Sequence, residues 1–192
     1  LVSLAGTACG GLSQTRDLLG GIASIGAGET EVEAFRPVVR NIGGVRAGFL
    51  AFSERPINNS YAGADILHPL AYDRVRMLQA QCDHVIVFCH AGLPGMELPL
   101  PEWRARYRRF VDAGASIVIG MPPSDVTGWE EYRHGLVLYS IGTLAEDCAG
   151  KSGVSLALKL SLGQNGRFTY EVRALAREGG LIGLCRNETF PA

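Results

Sequence analysis

One histidine stands where an α/β protein could place a reactive group. His90 follows the continuous apolar run His84–Cys89, which is typical of a buried strand, and it precedes Ala91-Gly92. Its imidazole would therefore lie where a strand opens into a loop, at the carboxyl end that such folds use for ligand binding. There it could bind a metal or act as an acid or a base. A hydrogen-bonded histidine that only terminates the strand is the alternative.

Two further apolar runs end in polar loops after His90. The first lies within Asp112–Asp125 and ends in a Gly-Met-Pro-Pro turn, and the second lies within Leu138–Thr143. Asp125 follows the first turn directly, and other carboxylates near these loops are Glu130, Glu131, Glu146 and Asp147. A metal site could recruit these carboxylates, although their spacing does not require one.

The other histidines and an arginine-rich helix favour structural interpretations. His68 precedes a proline at a predicted helix start, His84 opens a strand, and His134 lies in a predicted turn. The helix predicted over Pro101–Val111 has an apolar face. Its four arginines lie mostly on the other face and are Arg104, Arg106, Arg108 and Arg109. These arginines could bind phosphate, but a solvated helix face is the simpler interpretation.

A glycine-rich segment near the start of the chain offers a second kind of binding site. Gly6–Gly11 follows a predicted strand and precedes a predicted helix, so its backbone N–H groups could hold an anion. The segment lacks the Lys-Ser/Thr of a P-loop and does not match Gly-x-Gly-x-x-Gly. A plain tight turn is therefore favoured.

The composition indicates a folded domain without a strong charge. The 192 residues are 47% hydrophobic and carry a formal net charge of −1, which excludes a disordered chain and predicts no nucleic-acid partner. No apolar run reaches the roughly 18 residues of a membrane helix, so any membrane association is expected from segments outside this chain. The five cysteines have no Cys-x-x-Cys spacing and predict neither a disulfide framework nor a zinc site.

The pattern of elements predicts an α/β domain that ends in a β-meander. Apolar runs alternate with helical patterns in the first half, and two hairpins are predicted around the glycine turns Asn41–Gly44 and Gly163–Gly166. We interpret residues 1–192 as one domain in which sheets pack on each other with helices outside.

The strands and turns described above, with the residues that end them, resemble segments of the CapA family, the capsule and poly-γ-glutamate biosynthesis proteins. The family pattern contains Ser-Leu-Ala-Asn-Asn-His, a Gly-Ala-Gly turn, a hairpin, a strand that ends in His-Trp-Gly, an Ile-Gly-His-His-Pro-His block and a Tyr-Ser-Leu-Gly-Asn block. The resemblance runs from Leu1 to about Asp147. The matching segments, in order, are Ser3–Ala5, Gly26–Gly28, Arg36–Val39, Ile42–Val45, Gly48–Phe52, Asp83–His90 with Gly92, Asp112–Gly120 and Tyr139–Gly142.

The resemblance implies a metallophosphatase-like α-β-β-α sandwich whose metal ligands are largely replaced. The family's first strand and Gly-Asp motif would precede Leu1, so we expect the N-terminal part to be missing here. Gly6-Thr7-Ala8 stands where the family has Asn-Asn-His, and Met121-Pro-Pro-Ser124 stands where it has His-His-Pro-His. Thr143 stands where the family's Tyr-Ser-Leu-Gly-Asn segment has its asparagine. His90 alone matches an implied ligand position.

These replacements predict a degenerate metal site. A two-metal phosphoesterase site needs several converging His, Asp and Asn ligands. The resemblance leaves His90 as the catalytic or metal-binding residue, with Thr7, Ser124 and Asp125 as candidate binding residues. We expect no cofactor, and a divalent metal is the alternative.

The implied function is a role in capsule or poly-γ-glutamate biosynthesis at the cell surface, without phosphoesterase activity. An anionic polymer or glycan is the expected partner. Two alternatives remain open: an active metal-dependent hydrolase with a rearranged site around His90, and a non-catalytic interaction domain.

Overall fold

A computed structural model of the chain describes residues 1–5, 12–54, 62–93, 95–96, 98–121, 125–144, 153–178 and 181–185. The helices are α1 (Leu12–Leu18), α2 (Glu31–Ala34), α3 (Leu70–Gln79) and α4 (Pro101–Asp112). The strands are β1 (Val2–Ser3), β2 (Ser24–Ile25), β3 (Ala27–Gly28), β4 (Val38–Ile42), β5 (Val45–Ser53), β6 (Ala62–Gly63), β7 (His84–His90), β8 (Ile117–Gly120), β9 (Trp129–Tyr132), β10 (Gly135–Leu138), β11 (Gly153–Leu162), β12 (Phe168–Glu178) and β13 (Leu181–Leu184).

A mixed six-stranded sheet forms the centre of the molecule, in the order β4-β5-β7-β8-β10-β9. Strands β5, β7, β8 and β10 are parallel to their neighbours in this series, and the edge strands β4 and β9 are antiparallel. The ladders pair Ser53 with His90, Cys89 with Gly120, and Leu138 with Ile119. The four parallel strands consequently end in register at one edge of the sheet.

Helices α3 and α4 cover one face of this sheet through an aromatic core. The Phe110 ring of α4 stacks on Phe52 of β5 at 5.2 Å between centroids and contacts Tyr72 of α3 at 4.7 Å. Tyr107, Phe110 and Val111 are buried, which confirms the apolar face predicted for α4. Burial on this side fixes alternate residues of β7, including Cys89, against the helices.

The opposite face of the central sheet packs against a second sheet, β11-β12-β13. The interface is apolar on both sides, and its members include Ile86, Ile117, Ile119, Leu136, Leu138, Leu158, Leu160, Phe168 and Val172. Strand β12 of the second sheet alternates in burial over its first half, where Thr169, Glu171 and Arg173 are exposed between more buried positions. Two packed sheets with a helical layer on one side follow from these patterns.

The short parallel pair β1-β2 extends the second sheet layer next to β5. Ala5 and Ile25 pack against Ala51 of β5, whereas Leu4 packs against Leu19, directly after α1. The pair is therefore covered by the central sheet on one side and by the end of α1 on the other. This arrangement is compatible with the α-β-β-α sandwich implied by the resemblance, and the assignment of residues 1–192 to one domain stays a prediction. Within the described ranges, no helix is long and apolar enough to span a membrane.

Candidate functional site at the ends of the parallel strands

The register of the parallel strands places four residues in one row at the carboxyl ends of β5, β7, β8 and β10. They are Ser53, His90, Met121 and Ser140. Ser53 pairs directly with His90, and the ladder continues to Met121, whose N–H donates to the Cys89 carbonyl at 2.8 Å. The alternation of strand side chains directs all four toward the second sheet. We call these four residues the strand-end row.

His90 is the titratable member of the strand-end row. It is half-buried, and burial lowers the pKa of its imidazole below the ordinary value of 6.5. Among the described residues, no side chain hydrogen-bonds its ring, while its carbonyl oxygen accepts from the N–H of Glu54 at 3.1 Å. A lowered pKa favours the neutral form of the imidazole, which is the form that can act as a ligand or a base.

We expect the His90 ring to titrate below pH 6.5 in the folded protein. A depressed histidine pKa means that stability is full above the unfolded value and falls as the pH drops through the folded value. Histidine proton resonances followed by NMR against pH would measure this, with His90→Gln used to assign the signal. A midpoint at or above 6.5 would contradict the burial of the ring.

The other members of the row contribute neutral groups. Ser53 and Ser140 are buried, and the Ser140 hydroxyl accepts from the Gly142 N–H at 3.2 Å, which stabilises the turn after the strand. Met121 is half-buried and packs against the core between the two sheets. The row therefore offers one imidazole, two hydroxyls and one thioether.

The carboxylates near these loops that the structure describes form no group of three or more potential metal ligands with His90. Asp125 is exposed, beside a bridge between Val126 and Ile141. Glu130 binds arginines, and Glu131 accepts from the Tyr170 hydroxyl at 2.7 Å. Across the described ranges, no three His, Cys, Asp or Glu side chains converge in a way that could hold a metal ion.

Several predicted positions lie outside the described residues. Thr7 and Ser124 are among them, as are Glu146 and Asp147. Their roles as binding residues or recruited ligands stay predictions. Within the strand-end row, the thioether of Met121 and the hydroxyls of Ser53 and Ser140 are poor ligands for the hard or borderline cations of a two-metal centre.

Two other histidines have the structural roles that were predicted. His84 is buried, with Nδ1 at 3.2 Å from the Ser116 hydroxyl and Nε2 at 2.7 Å from the Gly163 carbonyl oxygen. His68 Nδ1 accepts from the Leu70 N–H at 3.1 Å at the start of α3. His84 thus joins the central sheet to the turn of the second hairpin.

The arginines of α4 are more engaged than a solvated helix face would be, so that interpretation was wrong in part. Arg104 and Arg108 bind Glu130 of β9, at 3.0 and 2.6 Å, and the Tyr139 hydroxyl also donates to this carboxylate. Arg106 and Arg109 lie over the rings of Trp103 and Tyr72, at 5.2 and 4.5 Å. Arg104 and Arg108 thus connect α4 to the sheet, whereas Arg106 and Arg109 cover aromatic surface. The spacing of the arginines in the sequence did not predict that Glu130 would be their partner.

Two concave features were not predicted from the sequence. One is an apolar pocket after β7, lined by residues that include Leu93, Leu98, Trp103, Tyr107 and Tyr139. The other is a polar cleft between α1 and α2, lined by residues that include Arg16, Ser24, Glu33 and Arg36. Each combines segments that are distant in sequence, so no local motif marks it.

Comparison with known proteins decides the family. The family model described as Bacterial capsule synthesis protein PGA_cap matches residues 9–147. The chain belongs to this family. The match confirms the resemblance to CapA proteins and includes His90, Met121 and Asp125, whereas Thr7 precedes it.

Among curated relatives of this capsule synthesis family member, the Capsule biosynthesis protein CapA of Bacillus anthracis is 27% identical over 133 residues. The aligned region covers 64% of this chain and 32% of that protein, so the chain spans about a third of the length of its relative. A solved structure of a hypothetical protein from Thermus thermophilus aligns with a TM-score of 0.47 at 15% identity, over 74% of this chain and 62% of that one.

Proposed function

We propose that this domain serves capsule biosynthesis, of the poly-γ-glutamate type, at the cell surface by binding the anionic polymer, with a degenerate metal site and no phosphoesterase activity. Family membership supports the capsule role. The observation that carries the loss of catalysis is the strand-end row, where Met121 stands in register beside His90. At that position the resemblance implies a histidine ligand.

The chemistry of the row explains why turnover would be lost. A two-metal phosphoesterase holds two cations about 3.5–4 Å apart, so that they stabilise both the attacking and the leaving oxygen. His90 alone can supply only one nitrogen ligand, and the thioether of Met121 prefers soft metals. The Ser140 hydroxyl is already engaged by the Gly142 N–H.

A second candidate function is a hydrolase with a rearranged site around His90. The neutral imidazole favours this candidate, because a metal ligand or a general base requires an unprotonated nitrogen. Asp125 and residues outside the described ranges are candidates for its further ligands.

Metal content and activity measured together separate the two candidates. We expect the purified full-length protein to carry less than one equivalent of transition metal by mass spectrometry and to hydrolyse no generic phosphoester faster than its His90→Ala variant. About two equivalents of metal, lost together with activity in His90→Ala, would instead establish the hydrolase.

Polymer binding tests the positive part of the proposal. We expect a γ-linked glutamate oligomer to bind the protein in calorimetry, while the matched oligomer of γ-linked isoglutamine, in which uncharged carboxamides replace the α-carboxylates, does not bind. The failure of both oligomers to bind would refute the polymer role and leave a general interaction domain.

A further inference from the structure

We infer that the cleft between α1 and α2 binds a carboxylate of the polymer between the guanidinium groups of Arg16 and Arg36. This inference rests on the proposed function and adds the place and the chemistry of recognition. The cleft contains none of the residues of the strand-end row, so it is separate from the site that the family motifs mark.

The cleft is built by three segments that meet beside the edge strand β4. The end of α1 contributes Arg16, the glycine turn with the start of β2 contributes Gly21–Ser24, and α2 with the segment after it contributes Glu33 and Arg36. Gly21 adopts a φ of 91°, which L-residues with side chains rarely take, and no atom lies within 4 Å of the place where its Cβ would stand. The turn therefore leaves one wall of the cleft without side-chain bulk.

The charges in the cleft are unbalanced in favour of an anion. Arg16 lies 3.7 Å from Glu33, a longer separation than the 2.6–3.0 Å of the arginines that bind Glu130. The same Glu33 oxygen also accepts from the Glu29 N–H at 3.1 Å, so its negative charge is shared. Arg36 is exposed and forms no ion pair with another residue of the part of the chain that the structure describes.

Two arginines and one partly engaged carboxylate thus line the cleft. The nearby carboxylate of Glu31 lies 3.4 Å from the imidazole of His68 and does not line the cleft. Guanidinium groups present paired N–H donors that match the two oxygens of a carboxylate, and such charge-assisted hydrogen bonds are among the stronger ones. The residues that line the cleft carry two positive charges and one negative charge, although the chain as a whole has a formal net charge of −1.

Charge-neutralising substitutions test the cleft directly. In calorimetry with the γ-linked glutamate oligomer, Arg16→Gln/Arg36→Gln should weaken binding about ten-fold or more. Arg40→Gln/Arg46→Gln provides the matched control, because both are exposed arginines, of β4 and β5, that do not line the cleft, and this variant loses the same two charges. Glu33→Gln should strengthen binding several-fold, because it removes the competing negative charge while its amide oxygen can still accept from Glu29.

The outcomes separate this inference from the proposed function. If the wild-type protein binds the oligomer but Arg16→Gln/Arg36→Gln binds it as well as Arg40→Gln/Arg46→Gln does, the cleft assignment is wrong and the polymer role stands. If the wild-type protein does not bind, both fall. Thermal melts of all variants exclude unfolding, and if the double variant is unstable, Arg36→Gln alone decides, together with the gain expected for Glu33→Gln.

Discussion

Replacing Gly120 by alanine should prevent the domain from folding stably. A Cβ at this last residue of β8 would overlap the backbone carbonyl oxygen of Tyr139 and lie 3.0 Å from the Tyr107 ring. A backbone oxygen in the adjacent segment cannot move aside as a flexible side chain can, so the neighbouring strands would have to separate. We expect a loss of at least about 3 kcal/mol in the free energy of unfolding.

Urea denaturation followed by circular dichroism would measure this loss, and poor soluble expression would be an early sign of it. Gly183→Ala is the control, because Gly183 lies in β13 and no atom comes within 4 Å of its added Cβ. The control should change the free energy of unfolding by no more than about 0.5 kcal/mol. Equal unfolding midpoints for the two variants would show that the strand ends are looser than described.

Replacing Glu130 by glutamine should destabilise the domain by about 2–3 kcal/mol. The Glu130 carboxylate accepts hydrogen bonds from Arg104, Arg108 and Tyr139, and its side chain is only 19% exposed. The neutral amide keeps one acceptor and leaves the two guanidinium groups without a counter-charge. Glu171→Gln is the matched control, because Glu171 forms an exposed pair with Arg173 at the sheet surface, where ion pairs contribute little.

The same substitution should also remove part of the acid sensitivity of the protein. Hydrogen bonding from Arg108, opposed by burial, lowers the pKa of Glu130 from 4.5 to about 2. A depressed carboxyl pKa contributes stability that is full above pH 4.5 and is lost as the pH falls toward about 2. Urea unfolding at several pH values in this window should therefore show a shallower decline for Glu130→Gln than for the wild type. Parallel declines would mean that the carboxylate is not held by the arginines in solution.

The parallel strands and the place of His90 could be predicted, because each depends on local sequence. Buried parallel strands are continuous apolar runs, as in His84–Cys89, and glycine turns mark both hairpins. The order of the blocks also identified the family. These features required no knowledge of which distant residues meet.

The features that were not predicted depend on such distant partners. Strand β9 has the sequence Trp-Glu-Glu-Tyr, which carries no apolar alternation. It pairs with β10, and its glutamates bind Arg108 and Tyr170 from other elements. Strand β13 is exposed along its length, so burial leaves no pattern in its sequence. The cleft of Arg16 and Arg36 joins residues on both sides of β2, and only the folded chain brings them together.

Tyr107 has a consequence for how a ligand would meet the strand-end row. Its hydroxyl donates to the carbonyl oxygen of Ala91 at 3.0 Å, and its ring stacks on Tyr139 at 5.7 Å. The backbone that follows His90 is thereby anchored to α4 before any ligand arrives. The conformational entropy of this segment is lost during folding rather than on binding, so a molecule that reaches His90 encounters a preorganised wall.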